Sequence, residues 1–390
     1  MNTKHRTTVV LVLVISIVLS GCGPRSTSSP ETEEIVFKNV NIIPMTTEIV
    51  LKDSVYVKNG KIKAIGRFED LNYSQEAEII DAEGKYLLPG FSDMHVHIRD
   101  ADDRILFLAY GITLVRNMWG DPELLTEIKR FEEENIPHPE IYTTGPLIDG
   151  KGAYWPGSFI IEDPEQVAEA LLQMKTDGYN AIKVYDGLTL PVYDEIVNEA
   201  ARNDLPVVGH VPFAVGVRHV IESGQLSIEH LSGYYLTDNS VDVDIIKLTV
   251  ESGVWNCPTL VAVHQKAEIL RNLYDNGATR IVAGTDTGIS YIHAGSSLHE
   301  EFQLMNDVGL TPYQVLLTTT RNAAEMLGYE KRLGTIEAGK DADLVLLNEN
   351  PLEDIANTST IAGVMTKGVW LPKEQLQRMV DEYFQRNSKN

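Results

Sequence analysis

The sequence predicts an α/β protein built on a (β/α)8 TIM barrel, and three observations carry that prediction. Residues able to bind a metal recur at the ends of short apolar runs, the intervals between them fit multiples of one strand-plus-helix unit, and helical patterns fill the gaps. The first run closes KYLLPGFSDMHVHIRD, in which His95 and His97 stand two positions apart. Residues i and i+2 of a β-strand share a face, so the two imidazoles project together from a strand end, as they would not on a helix. A divalent ion takes neutral imidazoles at about 2.0 to 2.1 Å, and a rigid strand offers that geometry with little ordering entropy left to lose.

Four more metal-competent residues follow in the same setting: Lys183 in NAIKVYDG, His210 in LPVVGHVP, His230 in LSIEHLSG and Asp286 in IVAGTDTG. From His97 the intervals are 86, 27, 20 and 56 residues, against roughly 31 for one unit of an eight-fold barrel. The steps are therefore about three, one, one and two units, which places the series at the ends of strands 1, 4, 5, 6 and 8. The skipped strands are legible as GITLVRNM (111–118), PEIYTTGPL (139–147) and GVWNCPTLVAV (253–263). Helical patterns such as DPEQVAEALLQMKTDG and LPVYDEIVNEAARNDL lie between them, each with an acidic or proline start and a glycine or polar stop. A parallel barrel carries its active site on the face where the strands end, and all six residues fall there.

These six positions, in this order, resemble the amidohydrolase superfamily, in its branch with two metals and a carboxylated lysine. The flanking text GHVP, SIEHL and GTD and the tail GTIEAGKDADLVLLNENP are most similar to imidazolonepropionase-like and Xaa-Pro dipeptidase-like members. The resemblance implies that His95, His97 and Asp286 hold one divalent ion and His210 and His230 the other, with Lys183, as a carbamate, bridging them. Zinc suits such ligands best. A lysine amine ordinarily carries its proton to about pH 10.4, but burial favours the neutral form, which adds carbon dioxide. The expected reaction is hydrolysis of an amide-type C–N bond in a small substrate, a dipeptide such as Xaa-Pro or an N-acyl amino acid. A hydroxide shared by the two ions is the implied nucleophile, with Asp286 as the catalytic proton carrier.

Residues 1–21 read as a lipoprotein signal peptide: Lys4 and Arg6 precede the apolar run VVLVLVISIVL, which is short for a membrane span and ends in LSGC. That last tetrad resembles a lipobox, which makes Cys22 the lipidation site, residues 22–33 a flexible tether, and the protein an exported bacterial lipoprotein, periplasmic or on the cell surface. Without Lys4 and Arg6 the 33 basic residues fall to 31 against 56 acidic ones, a charge of −25. This argues against nucleic acid as a partner and against electrostatic binding to anionic lipid, and leaves the acyl chain as the membrane contact. The other cysteine, Cys257, has no partner for a disulfide and reads as a small buried residue.

The chain exceeds one barrel by roughly a hundred residues. Short strands are legible in EIVFKNVNIIPM, DSVYVKNGKIKAIG and AEIIDAEGKYLL, with Asn59-Gly60 as a hairpin signal, and again in ADLVLLN and IAGVMTKGVWL. In the family resembled, such segments join into a small β-sandwich built from both termini. The expected organisation is then 34–88 with 331–375 as that sandwich, 89–330 as the barrel, and 376–390 as a C-terminal helix or tail.

Weaker expectations concern substrate contacts. Tyr185, two residues after Lys183, and Tyr234 or Tyr235, after His230, are placed to hydrogen-bond a substrate; Arg116 and Trp119 follow strand 2, with a structural role favoured for both. His299 opens a helical pattern, and His138, His219, His264 and His293 read as ordinary polar residues. Three other functions compete. A single-metal cyclic-amide hydrolase or deaminase is opposed by Lys183 and by HVPFAV, which lacks the acidic residue that deaminases carry after the strand-5 histidine. A lactonase or phosphoesterase would use the same core. A non-catalytic binding lipoprotein would be expected to lack some of the six residues.

Overall fold

The computed structural model describes residues 34–236, 240–289 and 291–388, so the signal peptide, the tether and Cys22 lie outside the described residues. Chain order begins with β1 (Glu34–Ile42), β2 (Leu51–Lys58), β3 (Lys61–Gly66), β4 (Glu78–Asp81) and β5 (Tyr86–Pro89). The barrel strands follow: β6 (Phe91–Val96), β7 (Ile112–Asn117), β8 (Glu140–Thr143), β9 (Ile148–Asp149), β10 (Phe159–Ile160), β11 (Ile182–Val184), β12 (Val207–Gly209), β13 (Ser227–Glu229) and β14 (Trp255–Cys257). The chain ends with β15 (Leu344–Leu347), β16 (Ile361–Thr366), β17 (Val369–Pro372) and a helix over Lys373–Asn387.

The first and last groups of strands are knitted into one mixed sheet in the order β17-β16-β15-β5-β1-β2-β3, with β4 on β1 beside β5. In place of the expected sandwich, the terminal segments form a single eight-stranded sheet among the described residues. Strands far apart in sequence meet in it: β15 runs antiparallel to β5, pairing Leu344 with Pro89, and Ile62 donates its N–H to Lys340. Phe37, Val55, Leu87, Leu344 and Met365 are buried on it together. The hairpin between β2 and β3 turns at Asn59 and Gly60, whose φ values of 51° and 69° are those of a type I′ turn.

The barrel strands run parallel in two arcs. β6-β7-β8 forms one, and β10-β9-β11-β12-β13-β14 the other. Isolated parallel bridges tie their edges: Thr144 to Ala181, Asn256 to Ile281 and Val96 to Thr287. The regular ladders leave the barrel open, because strand 8 is only a run of single bridges. Two local causes are visible. A Cβ at Gly284 would sit 2.5 Å from Cys257 Sγ and 2.8 Å from His95 N, so the chain passes too close there for any other residue, and Asp286 takes a left-handed φ of 64°. Strand 7 is shorter than predicted for a similar reason. After Cys257, Pro258 has no N–H to donate, and Thr259 has φ 47°.

The helices follow their sequence signals. Asp163 and Gln166 form a capping box with Pro164 inside it, and the helix Val167–Asp177 stops at Gly178, φ 99°. The helix Leu190–Arg202 starts with Pro191 in its first turn. Barrel and helices share one large apolar cluster, with Phe107, Ile148, Ile196, Ile246 and Phe302 all buried. No described helix is long and apolar enough to cross a membrane.

Candidate metal centre

Strand alternation sends Asp93 and His95 of β6 in one direction, and His97 follows just beyond the strand. The structure brings His97, Lys183, His210, His230 and Asp286 to the wall of one cavity of about 40 Å³, and His95, which does not line it, lies beside His97, His230 and Asp286. Asp286 Oδ1 lies 3.0 Å from His97 Nε2 and 3.3 Å from His95 Nε2. Ring centroids of His95 and His230 are 4.5 Å apart, and those of His210 and His230 4.9 Å. The ligand atoms of His95, His230 and Asp286 lie within 4.8 Å of one another.

Three imidazoles are aimed by their other nitrogen. His95 Nδ1 is 2.8 Å from Glu229 Oε2, His210 Nδ1 is 2.9 Å from Asp186 Oδ1, and His230 Nδ1 is 2.7 Å from Thr259 Oγ1. An acceptor at Nδ1 fixes the tautomer and leaves Nε2 with a lone pair, the arrangement that metal-binding histidines use. Burial pushes all four histidines below the ordinary histidine value, His230 to about 3, so the rings are neutral at physiological pH. His95 Nε2 and His97 Nδ1 are buried without a hydrogen bond. Neutral rings, oriented lone pairs and unsatisfied nitrogens beside a carboxylate fit a divalent ion.

Lys183 is 1% exposed, and its amine makes no hydrogen bond or ion pair with any described residue. Burial lowers its pKa to about 8. For Asp286, burial alone would raise the carboxyl, but the neighbouring His230, the His97 hydrogen bond and Lys183 outweigh it and hold it at about 2.

The same strand ends carry left-handed backbone: His230, Leu231, Thr259 and Asp286 have φ of 57°, 48°, 47° and 64°. Lys266 Nζ holds the turn after β13 by donating to His230 O at 2.6 Å. Gly209, φ 132°, precedes His210 because a Cβ there would collide with Val184 O.

The layer below the histidines is legible only in the fold. Arg116 is fully buried, donating to both oxygens of Glu229 at 2.8 and 2.9 Å, to Ser227 Oγ at 2.9 Å and to Met94 O at 2.5 Å. It is a structural group under the floor and does not line the cavity. Asp93 accepts from Thr285 Oγ1 at 2.7 Å and from Thr285 N at 3.0 Å, which ties strand 1 to strand 8. Neither Glu229 nor Asp93 was expected from sequence. The signal for both was a charged residue at even spacing from a histidine or serine on a strand otherwise buried.

Of the weaker expectations, Tyr185 and Trp119 line the cavity. Tyr234 does not: it is fully buried behind the wall, its hydroxyl bonded to Thr249 Oγ1 at 3.0 Å and Asn256 Oδ1 at 2.9 Å. The left-handed pair His230-Leu231 reverses the chain and turns Tyr234 inward. Tyr235 bonds Gln265 O, and His299 bonds Thr358 and Tyr110. His138, read as an ordinary polar residue, is 3% exposed, with its ring centroid 5.3 Å from that of Phe131. Cys257 is buried, as read from sequence.

Comparison with known proteins identifies the family and the fold. The amidohydrolase family model matches residues 107–371. The chain is 26% identical to an imidazolonepropionase of Geobacillus sp. (strain WCH70), covering 77% of this chain and 84% of that one. It is 24% identical to an adenine deaminase of Desulforamulus reducens over 83% of this chain, but spans only 56% of that relative's length. A solved Xaa-Pro dipeptidase with methionine bound in its active site superimposes with a TM-score of 0.74 at 22% identity, covering 87% of this chain and all of the other. The fold shared with that structure is the α/β TIM barrel, and the chain belongs to the amidohydrolase family.

Proposed function

We propose that this protein is a metal-dependent hydrolase of amide-type C–N bonds in small substrates, dipeptides such as Xaa-Pro or N-acyl amino acids. The observation that carries the reading is Lys183: a buried amine without a protein partner, set among four neutral histidines and one carboxylate. Such an amine is poised to add carbon dioxide, and the resulting carbamate has two oxygens with which to bridge two cations.

His95, His97 and Asp286 would hold one ion, His210 and His230 the other, with modified Lys183 between. Bound there, a pair of divalent ions, zinc by ligand type, supplies a water ionised near neutral pH and a Lewis acid for the scissile carbonyl. The chain's own groups do the rest. Asp286 Oδ1 is placed to hold a proton and return it to the departing nitrogen, which an amine needs in order to leave. Tyr185 accepts the indole N–H of Trp155 at 2.9 Å, so its own O–H is free to donate into the cavity. Burial pushes that hydroxyl to about 12 and keeps it protonated. Trp119, Leu147, Trp155 and Ile289 exclude water around the reacting atoms.

A library of dipeptides and N-acyl amino acids presented to the zinc-loaded protein lacking residues 1–22 tests the reading. Release of free amino acid is expected, and activity confined to lactones or to deamination would reject it. A second reading has its own support. The donor atoms of His95, His230 and Asp286 lie within 4.8 Å of one another, a set that a single ion could use, and two relatives are an imidazolonepropionase and an adenine deaminase. It predicts one ion per chain and an unmodified Lys183.

We propose also that Cys22 is acylated and anchors an exported protein. Cys22→Ser is expected to abolish metabolic labelling with palmitate and to move the protein from the membrane to the soluble fraction. Unchanged membrane recovery of the variant would contradict the anchor.

A further inference from the structure

Arg99 follows His97 by two residues and lines the same cavity. Its guanidinium lies over the Trp119 ring, 5.8 Å from the centroid. The groove on its other side is lined by Asp100, Asp102, Asp121, Glu123 and Glu127. Neighbouring arginines are taken up by such acids: Arg104 and Arg386 pair with Asp102, and Arg130 pairs with Glu127. Arg99 pairs with none, and among the described residues its side chain forms no hydrogen bond or ion pair.

Once Lys183 is neutral or carboxylated, Arg99 is the one fixed positive charge among the described residues lining the cavity. The remaining wall beside it is apolar, from Trp119, Leu147, Trp155 and Ile289. A guanidinium fork matches a carboxylate with two parallel hydrogen bonds, and an aromatic face beneath it limits the directions it can take.

We propose that Arg99, laid on Trp119, binds the free carboxylate of the substrate's amine-side residue. The site would then select N-acyl amino acids and dipeptides with an unblocked C-terminus and an apolar last residue over neutral amides. This rests on the amide-hydrolase reading and adds the group that chooses among amides. Arg116, the other arginine near the site, is committed to Glu229 and cannot serve.

L-leucine and L-leucinol differ in the carboxylate and resemble the released half of such a substrate. Their binding to the zinc-loaded full chain is read from tryptophan fluorescence. Arg99→Gln is expected to weaken L-leucine binding at least about tenfold and to leave L-leucinol within about twofold, since a charge-assisted pair is lost only for the acid. Arg99→Lys, which keeps the charge but loses the fork, should recover part of the loss. Arg99 is exposed, so neither change touches the packed interior. Equal effects on both ligands, or none on either, would overturn the assignment. In kinetics the loss should appear in KM for N-acetyl-L-leucine and be absent for N-acetyl-L-leucinamide. Ligand discrimination by Arg99 in a protein that cleaves no amide would uphold the carboxylate site and refute the amide-hydrolase reading; cleavage with no discrimination would do the reverse.

Discussion

Asp286→Asn is expected to lower kcat for amide hydrolysis by roughly 10²- to 10⁴-fold, the range that a positioned proton carrier contributes, or by more if metal occupancy falls with it. The change is nearly isosteric. Asn tolerates the left-handed φ of 64° at this position better than most residues, so the backbone need not shift. What is lost is the negative charge 3.0 Å from His97 Nε2 and 3.3 Å from His95 Nε2. Steady-state kinetics on the best substrate of the library, with metal content measured on the same sample, checks this. Activity within tenfold of wild type would remove Asp286 from the chemistry.

Glu229→Gln is expected to have the second largest effect, although Glu229 does not line the cavity. Glu229 is fully buried and accepts from Arg116, Ser227 and His95 at once. Removing its charge leaves a buried guanidinium uncompensated, which costs about 3 to 5 kcal/mol. It also frees His95 Nδ1 from the acceptor that selects its tautomer, a loss worth roughly 10- to 100-fold in metal affinity. Urea unfolding and competitive metal titration read the two effects separately. Arg116→Met combined with Glu229→Gln should be more stable than the sum of the single changes predicts, because no lone charge remains. Wild-type metal affinity in Glu229→Gln would mean that His95 is oriented by something else.

The six strand-end residues were legible because each lies within a few residues of its strand end, where period-two alternation and unit spacing are strong signals. The parallel strand-and-helix alternation was legible to the same depth, whereas the division of the ladders into two arcs, with strand 8 reduced to single bridges, was not. Arg116 and Glu229 were obscured by distance: their partnership spans 113 positions, and no local pattern tells a buried arginine from a solvated one. Tyr234 was misplaced because its direction depends on two left-handed residues, His230 and Leu231, and such a reversal leaves no mark in a hydrophobic pattern. The terminal strands were readable one by one, while the pairing of β15 with β5, some 250 residues earlier, depends on tertiary packing. Trp155 reaches the cavity from a loop, where side-chain direction has no period to follow.

The central claim is that His95, His97, Lys183, His210, His230 and Asp286 enclose two divalent ions with a carboxylated Lys183 between them. Elemental mass spectrometry of the protein purified with zinc and bicarbonate in excess tests it most directly, with Lys183→Ala prepared in parallel. The predicted result is two equivalents of metal per wild-type chain and no more than one in the variant. One equivalent or none in the wild type, or two in Lys183→Ala, would contradict it.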